Sequence, residues 1–163
     1  NNSKPHSAPV ITEREFPDFP EHALGGSGAF VIGDPGRRVQ LGRYFALARW
    51  ALDGLADDAR SAAPRRVWPH HFDLGTLIPL PSGSASIGLG LSPGDHYYDE
   101  PYLYVSRYPW PDPFPEWAGQ GHWHTTGFTS LVMTATEWQA GECSQADTVL
   151  RFVQDAFALA SAL

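Results

Sequence analysis

Five of the seven histidines lie in three short segments that also carry carboxylates and aromatic residues. The segments are Trp68-Pro-His-His-Phe-Asp73, Ser92-Pro-Gly-Asp-His-Tyr-Tyr-Asp-Glu-Pro-Tyr102 and Gly121-His-Trp-His-Thr125. Imidazole and carboxylate groups bind metal ions and transfer protons at neutral pH. These segments are therefore the candidate functional site, although structured loops packed on aromatic rings would show the same composition.

The third segment predicts a pair of imidazoles on one face of a strand. If it is extended, His122 and His124 point to the same side and Trp123 points to the other. Paired imidazoles are a common half of a metal site. A His-x-His pair also arises for purely structural reasons, so both interpretations stay open.

The first segment is predicted to complete that site. In an extended chain His71 and Asp73 share a face and would give, with the histidine pair 122 and 124, a set of histidines and one carboxylate. The predicted cofactor is a divalent metal ion, with zinc favoured and iron or manganese as alternatives. Asp73 would otherwise orient His71 by accepting its ring N–H, or His71 would satisfy a buried carbonyl.

The middle segment supplies the candidate catalytic carboxylates, Asp95 and Glu100. Asp95 follows Ser-Pro-Gly, a turn sequence in which an aspartate often bonds its own backbone. Glu100 precedes a predicted strand that carries Tyr102 and Tyr104 on one face, which places a carboxylate near two phenols. Glu100 is a candidate general base or ligand orienter, and a rim of solvated side chains is the alternative.

Two classes of function follow from these residues. The first is a small metal-dependent enzyme, a hydrolase or lyase that acts on a small molecule. The second is a non-catalytic module that binds a small molecule or a protein through a pocket lined by aromatic residues and histidines. The sequence lacks the Gly-x-Ser-x-Gly elbow, the His-Glu-x-x-His motif, the phosphate-binding loop and the dinucleotide fingerprint. Whether the protein is an enzyme stays undecided at this level.

The composition restricts the binding partners and the cellular compartment that can be expected. A formal charge of −7 disfavours nucleic-acid binding, which needs clustered Lys and Arg. The single Cys143 allows no intramolecular disulfide, and the sequence has neither an apolar run of membrane-spanning length nor a signal peptide at its start. A cytoplasmic protein without a membrane partner is expected. Because the sequence begins without methionine, it is also expected to be part of a longer protein.

The pattern along the chain predicts an arm followed by one domain. Residues 1–38, rich in Pro and Gly, form an extended arm with a short strand at 29–32. The arm is expected to pack on the sheet, on the proline-rich segment 109–117 or on a second chain in a homo-oligomer, and a missing N-terminal half is the other expected partner. Residues 39–163 form a single α+β domain, with helices over 39–60 and 145–162 and Ser144 as the cap of the second.

Between the helices the sequence predicts a mostly antiparallel sheet of four to five strands. The strands are expected over 67–80, 84–91, 102–108 and 128–136, and the two helices are expected to pack on one face of the sheet. The proline-rich segment 109–117 is either a lid or a structural wrap.

The same motifs carry a family resemblance. The chain resembles a bacterial group of unknown function, the domain-of-unknown-function family DUF5996 and its relatives. The resemblance rests on Trp68-Pro-His-His-Phe-Asp73, on the Gly-Leu-Ser-Pro-Gly-Asp run that ends at Asp95, on Glu100-Pro-Tyr-Leu-Tyr-Val105 and on Gly121-His-Trp-His-Thr125. It covers about residues 65–138 and implies no catalytic residue.

Overall fold

The computed structural model describes residues 33–56, 64–69, 71–140 and 143–163. Their elements are α1 (Pro35–Ala56), β1 (Arg66–Val67), β2 (Leu74–Pro79), β3 (Ser86–Ser92), β4 (Tyr102–Tyr108), β5 (His122–His124), β6 (Ser130–Thr134), α2 (Ala135–Gln139) and α3 (Gln145–Ser161). The predicted α+β class is confirmed, with six strands rather than four to five. The first helix begins at Pro35 rather than at residue 39, so residues 35–38 belong to α1 and not to the predicted arm. The strand expected at 29–32, most of the arm, His70 and the expected end of the first helix at 60 lie outside the described residues.

The six strands form one antiparallel sheet in the order β1-β2-β3-β4-β6-β5. The prediction of a single bent strand over 67–80 is corrected to the β1–β2 hairpin. Its chain reversal is closed by Phe72 N, which donates to the Trp68 carbonyl at 2.7 Å, and by Trp68 N, which donates to the Asp73 carbonyl at 2.9 Å. Phe72 adopts a φ of 56°, a left-handed conformation typical of turns.

One face of the sheet is apolar and is covered by α1 and α3. Residues paired across neighbouring strands lie on the same face, and the pairs Leu89–Val105 and Val105–Leu131 are buried completely or almost completely. The helical residues packed into this core are Ala48, Ala51, Leu52, Val149, Phe152, Val153, Ala156 and Ala160. Their spacing is the helical periodicity that the sequence predicts.

The opposite face of the sheet, called here the polar face, carries the side chains of chemical interest. Tyr104 is paired with Val132, which is paired with His122. Further polar or aromatic residues on the same face, towards the β5 edge, include Ser92, Tyr102, His124, Ser130 and Thr134. The alternation of β5 therefore places both of its histidines on this face, as the sequence predicts.

Helix α2 begins directly after β6 with a capping box. The Thr134 hydroxyl accepts from Glu137 N at 3.4 Å, and the Glu137 Oε2 atom accepts from Thr134 N at 2.6 Å. This reciprocal pair satisfies two backbone donors at the start of the helix. It also holds the Glu137 carboxylate beside the polar face. The predicted cap of α3 is confirmed, since the Ser144 hydroxyl accepts from Asp147 N at 3.2 Å.

The proline-rich segment 109–117 packs against the apolar side of β5. Trp110 meets Trp123 edge to face at a centroid distance of 4.8 Å, and its indole N–H donates to the Thr129 carbonyl at 3.2 Å. Trp117 meets Phe152 of α3 at 6.3 Å. These contacts favour a structural wrap over a lid. Among the described helices, none combines the length and the apolarity needed to cross a membrane.

Candidate functional site

Two imidazoles converge on one phenol at the β5 edge of the polar face. The Tyr98 hydroxyl lies 3.0 Å from His122 Nε2 and 2.9 Å from His124 Nδ1. His124 is buried, with 9% of its surface exposed, whereas 43% of the His122 side chain is exposed. The point of convergence is therefore shielded by protein next to His124 and open to solvent next to His122.

The far nitrogen of each imidazole is held by an acceptor. His122 Nδ1 lies 3.1 Å from the Glu137 Oε1 atom, and His124 Nε2 lies 2.7 Å from the Thr126 carbonyl. A carboxylate and a carbonyl both accept hydrogen bonds, so each far nitrogen carries the hydrogen. In neutral imidazoles the near nitrogens, His122 Nε2 and His124 Nδ1, then present lone pairs to Tyr98.

Tyr98 is positioned by a turn that Asp95 closes. The Asp95 Oδ1 atom accepts from Tyr97 N at 2.8 Å and from Tyr98 N at 3.2 Å, and Asp95 N donates to the Tyr98 carbonyl at 2.7 Å. The Tyr98 ring packs on Tyr102 at a centroid distance of 4.8 Å. Phe128 stacks on the His124 ring at 4.1 Å. The phenol and the buried imidazole are thus fixed from several sides.

When both histidines are neutral, the hydrogen-bond network from Glu137 to Thr126 contains one hydrogen fewer than it has hydrogen bonds. Its four hydrogen bonds run between two acceptors, the Glu137 carboxylate and the Thr126 carbonyl. The three groups between them, His122, Tyr98 and His124, supply one hydrogen each. Two imidazole lone pairs therefore face a single hydroxyl hydrogen, and the site has room for one additional positive charge.

Carboxylates make the potential at this point negative. Burial raises the pKa of Tyr98, and the negative charges of Glu137 and Asp95 raise it further. Burial disfavours a charge of either sign, whereas the two carboxylate charges disfavour an anion and favour a cation at this place. The electrostatics and the hydrogen count therefore agree on a site for a positive charge.

Two more phenols of the polar face are bound to carboxylates. Tyr102 donates to Asp95 Oδ2 at 2.7 Å, and Tyr104 donates to Asp73 Oδ2 at 2.6 Å. Burial raises the pKa of Tyr102, with the Asp95 bond as the next cause, and burial together with the Asp73 charge raises the pKa of Tyr104. Asp73 and Asp95 rather than Glu100 are thus the carboxylates beside these phenols.

We predict that the protein loses stability steeply above about pH 10, the pKa of a free tyrosine. In the folded state Tyr102 and Tyr104 keep their protons at that pH, whereas the unfolded chain loses them. Their contribution is complete below about pH 10 and falls by about 1.4 kcal/mol per pH unit for each tyrosine above it. Urea denaturation from pH 8 to pH 11 measures this slope. Tyr104→Phe should flatten it, while Tyr108→Phe, which changes a 77% exposed ring, should not; equal slopes for both variants would contradict the prediction.

The four predicted metal ligands are not brought together. Asp73 precedes β2, whereas His122 and His124 belong to β5, four strand positions away in the sheet. At about 4.8 Å per position this is roughly 19 Å. His71 lies in the β1–β2 connection and is exposed. In the part of the chain that the structure describes, no three or more His, Cys, Asp or Glu side chains are grouped to hold a metal ion.

The two predicted catalytic carboxylates are both engaged in hydrogen bonds. Asp95 bonds its own backbone, the structural role that the turn sequence suggests, and also accepts from Tyr102. Glu100 Oε2 accepts from Thr136 N at 2.7 Å and from Thr136 Oγ1 at 2.8 Å, which anchors the first turn of α2. Asp95 is the one whose charge acts on the Tyr98 hydroxyl.

Sequence reasoning missed Tyr98 and Glu137 as members of the site. Tyr98 appeared only as one aromatic residue among many, because its contact depends on a turn folding back over β5. The capping box Thr134-Ala-Thr-Glu137 is a recognisable signal for a helix start, and it places Glu137 next to the end of β6. It does not indicate that the same carboxylate reaches His122.

No family model, curated protein or solved structure matches the chain. The resemblance to the DUF5996 family therefore stays a prediction, and the function has to be argued from the geometry of the site.

Proposed function

We propose that the protein binds a divalent metal ion between His122 Nε2 and His124 Nδ1 and uses it to activate water for a hydrolytic or lyase reaction on a small molecule. The observation that carries the proposal is the convergence of His122 Nε2 and His124 Nδ1 on one atom, the Tyr98 hydroxyl oxygen, at 3.0 and 2.9 Å. An ion placed between the two nitrogens satisfies both lone pairs.

The surroundings of the imidazoles support a metal site. Histidine ligands usually donate their other ring N–H to a carboxylate or a backbone carbonyl, which fixes the ring and raises its basicity. Glu137 accepts from His122 in this way, and the Thr126 carbonyl accepts from His124. The exposed edge of His122 leaves space for water on the ion, as an open catalytic site requires.

The chemistry of such a site is the activation of water. A bound divalent ion makes its water acidic enough to supply hydroxide near neutral pH. Zinc is favoured because histidine nitrogens suit it, and iron or manganese are the alternatives. Asp95 and Glu100 stay the candidate general bases.

Titration of the protein with Zn²⁺ tests this proposal. Protein purified without a histidine tag and treated with a chelator should bind one Zn²⁺ per chain in isothermal titration calorimetry, and elemental analysis should find the ion after gel filtration. Mg²⁺, which prefers oxygen ligands, is the control and should not bind. Absence of binding for Zn²⁺, Mn²⁺ and Fe²⁺ alike would overturn the proposal and leave a proton as the additional positive charge.

Glu137→Gln separates the role of this residue in the site from its role in the helix cap. Glutamine is accepted in a capping box, so the unfolding free energy should change by less than about 1 kcal/mol. The amide has one acceptor oxygen for two donors, His122 Nδ1 and Thr134 N, and carries no charge. We therefore expect Zn²⁺ affinity to fall about 10- to 100-fold, measured by calorimetry beside a denaturation curve. Unchanged affinity would show that Glu137 acts only as a cap.

A second candidate function, a non-catalytic binding module, would use an open cleft away from the histidines rather than the predicted aromatic- and histidine-lined pocket. The cleft has a volume of about 400 Å³ and lies between α1 and the start of α3. Its lining residues are Gln40, Arg43, Tyr44, Leu47, Gln139, Gln145 and Ala146. An arginine and three amides suit a small polar ligand rather than the apolar pocket usual for such modules. Ligand binding that is insensitive to loss of His122 would support this second function.

A further inference from the structure

We propose that Tyr98 is the third protein ligand of the ion, so that the site is a two-histidine, one-tyrosine centre for a transition-metal ion that binds phenolate oxygen. This inference rests on the proposed metal site and specifies its ligand set and the class of ion. Its basis is the position of the Tyr98 hydroxyl, which is the atom on which His122 Nε2 and His124 Nδ1 converge.

The distances require little rearrangement. Two ligand atoms on one tetrahedral ion, each with a bond of about 2.0 to 2.1 Å, are about 3.3 Å apart. The hydroxyl oxygen is already 3.0 Å from His122 Nε2 and 2.9 Å from His124 Nδ1. A widening of about 0.3 to 0.4 Å therefore brings each of these two oxygen–nitrogen distances to the value expected for two ligands of one ion.

The Tyr98 phenol is held in place by hydrogen bonds to its backbone and by ring packing. Asp95 fixes the backbone of Tyr98 on both sides: its Oδ1 atom accepts from Tyr98 N and from the preceding Tyr97 N, and its own N–H donates to the Tyr98 carbonyl. The Tyr98 ring also packs on Tyr102, which is itself bonded to Asp95. A tyrosine ring has no flexible end that would take its oxygen elsewhere. An ion that enters between the imidazoles therefore meets this oxygen at bonding distance.

The donor set restricts the ion. Two imidazole nitrogens suit Zn²⁺, Cu²⁺, iron and nickel. The Tyr98 oxygen adds a hard anionic donor when the ion takes the place of the hydroxyl proton, which is released to solvent. The described part of the site holds no thiolate, because the only cysteine, Cys143, is exposed beside the start of α3. Soft ions such as Cu⁺ are therefore disfavoured, and Cu²⁺, which binds phenolate, joins Zn²⁺ among the divalent ions that suit this ligand set.

Cu²⁺ is the probe that tests this ligand set, because phenolate coordination to Cu²⁺ gives a charge-transfer absorption band in the visible range. The wild-type protein should bind one Cu²⁺ with such a band, and Raman excitation within it should enhance tyrosine ring vibrations. Tyr98→Phe should remove the band and lower Cu²⁺ affinity about 10-fold or more, while the two histidines still bind the ion. Tyr108→Phe, which makes the same change at an exposed ring, should keep both.

The outcomes separate the two proposals. If Cu²⁺ and Zn²⁺ bind but Tyr98→Phe keeps the wild-type spectrum and affinity, Tyr98 is not a ligand and this inference is overturned, while the metal site stands. If neither ion binds the wild-type protein, both proposals are overturned. A thermal denaturation curve of Tyr98→Phe that matches the wild type excludes misfolding as the cause of a lost band.

Discussion

Replacing His122 with alanine is expected to lower the affinity for Zn²⁺ by about 100-fold or more. The variant loses a metal ligand, a larger change than the roughly 10- to 100-fold effect of losing a group that supports a ligand. It also leaves Glu137 without its imidazole partner. Because 43% of the His122 side chain is exposed, the core is untouched and the fold should persist. Calorimetric titration of the variant and the wild type measures the difference.

His96→Ala is the matched control for this prediction. His96 is also an exposed histidine close to the site in sequence, and its ring packs on Tyr97 at a centroid distance of 3.8 Å rather than on Tyr98. Its removal should leave Zn²⁺ affinity within about two-fold of the wild type, the range of surface changes. Equal losses in His96→Ala and His122→Ala would mean that Zn²⁺ binds histidines nonspecifically.

The part of the site that could be predicted from sequence is the part set by local geometry. His122 and His124 are two residues apart, so any extended conformation places them on one face. The helices were predictable for the same kind of reason, since the apolar stripe of α3 repeats at the helical period. Local periodicity survives folding because the backbone geometry of a strand or a helix is the same in every protein.

The part that could not be predicted depends on turns and on strand order. The predicted His71–Asp73 alignment assumed an extended chain, but Phe72 adopts a positive φ and the segment reverses direction. Strand order then separates Asp73 from β5 by four positions. Tyr98 joins the histidines from 24 residues away through the Asp95 turn. None of these three facts follows from residue spacing.

Two paired glycines on the polar face, Gly75 and Gly90, explain how the Tyr104 side chain reaches Asp73 across the sheet. Gly90 of β3 is paired with both Tyr104 and Gly75, and the Tyr104 hydroxyl passes over the two glycines to Asp73 at 2.6 Å. A Cβ atom on Gly90 would lie 2.7 Å from the Tyr104 hydroxyl and 2.9 Å from the Gly75 Cα, and it would also overlap the Leu74 carbonyl oxygen. Two of these three atoms belong to the backbone and have no alternative rotamer.

Gly90→Ala is therefore expected to destabilise the protein by about 3 kcal/mol, the upper part of the range for an overpacked interior. Relief requires β2 and β3 to move apart, which breaks the ladder between them. Gly88→Ala is the matched control, because Gly88 lies two residues earlier on the same face of β3 and its added Cβ would meet only the Leu77 Cδ1 atom at 3.8 Å. That variant should be neutral or stabilised by up to about 1 kcal/mol, since alanine restricts the unfolded chain. Urea denaturation midpoints compare the two, and equal stabilities would show that β2 and β3 tolerate a side chain between them.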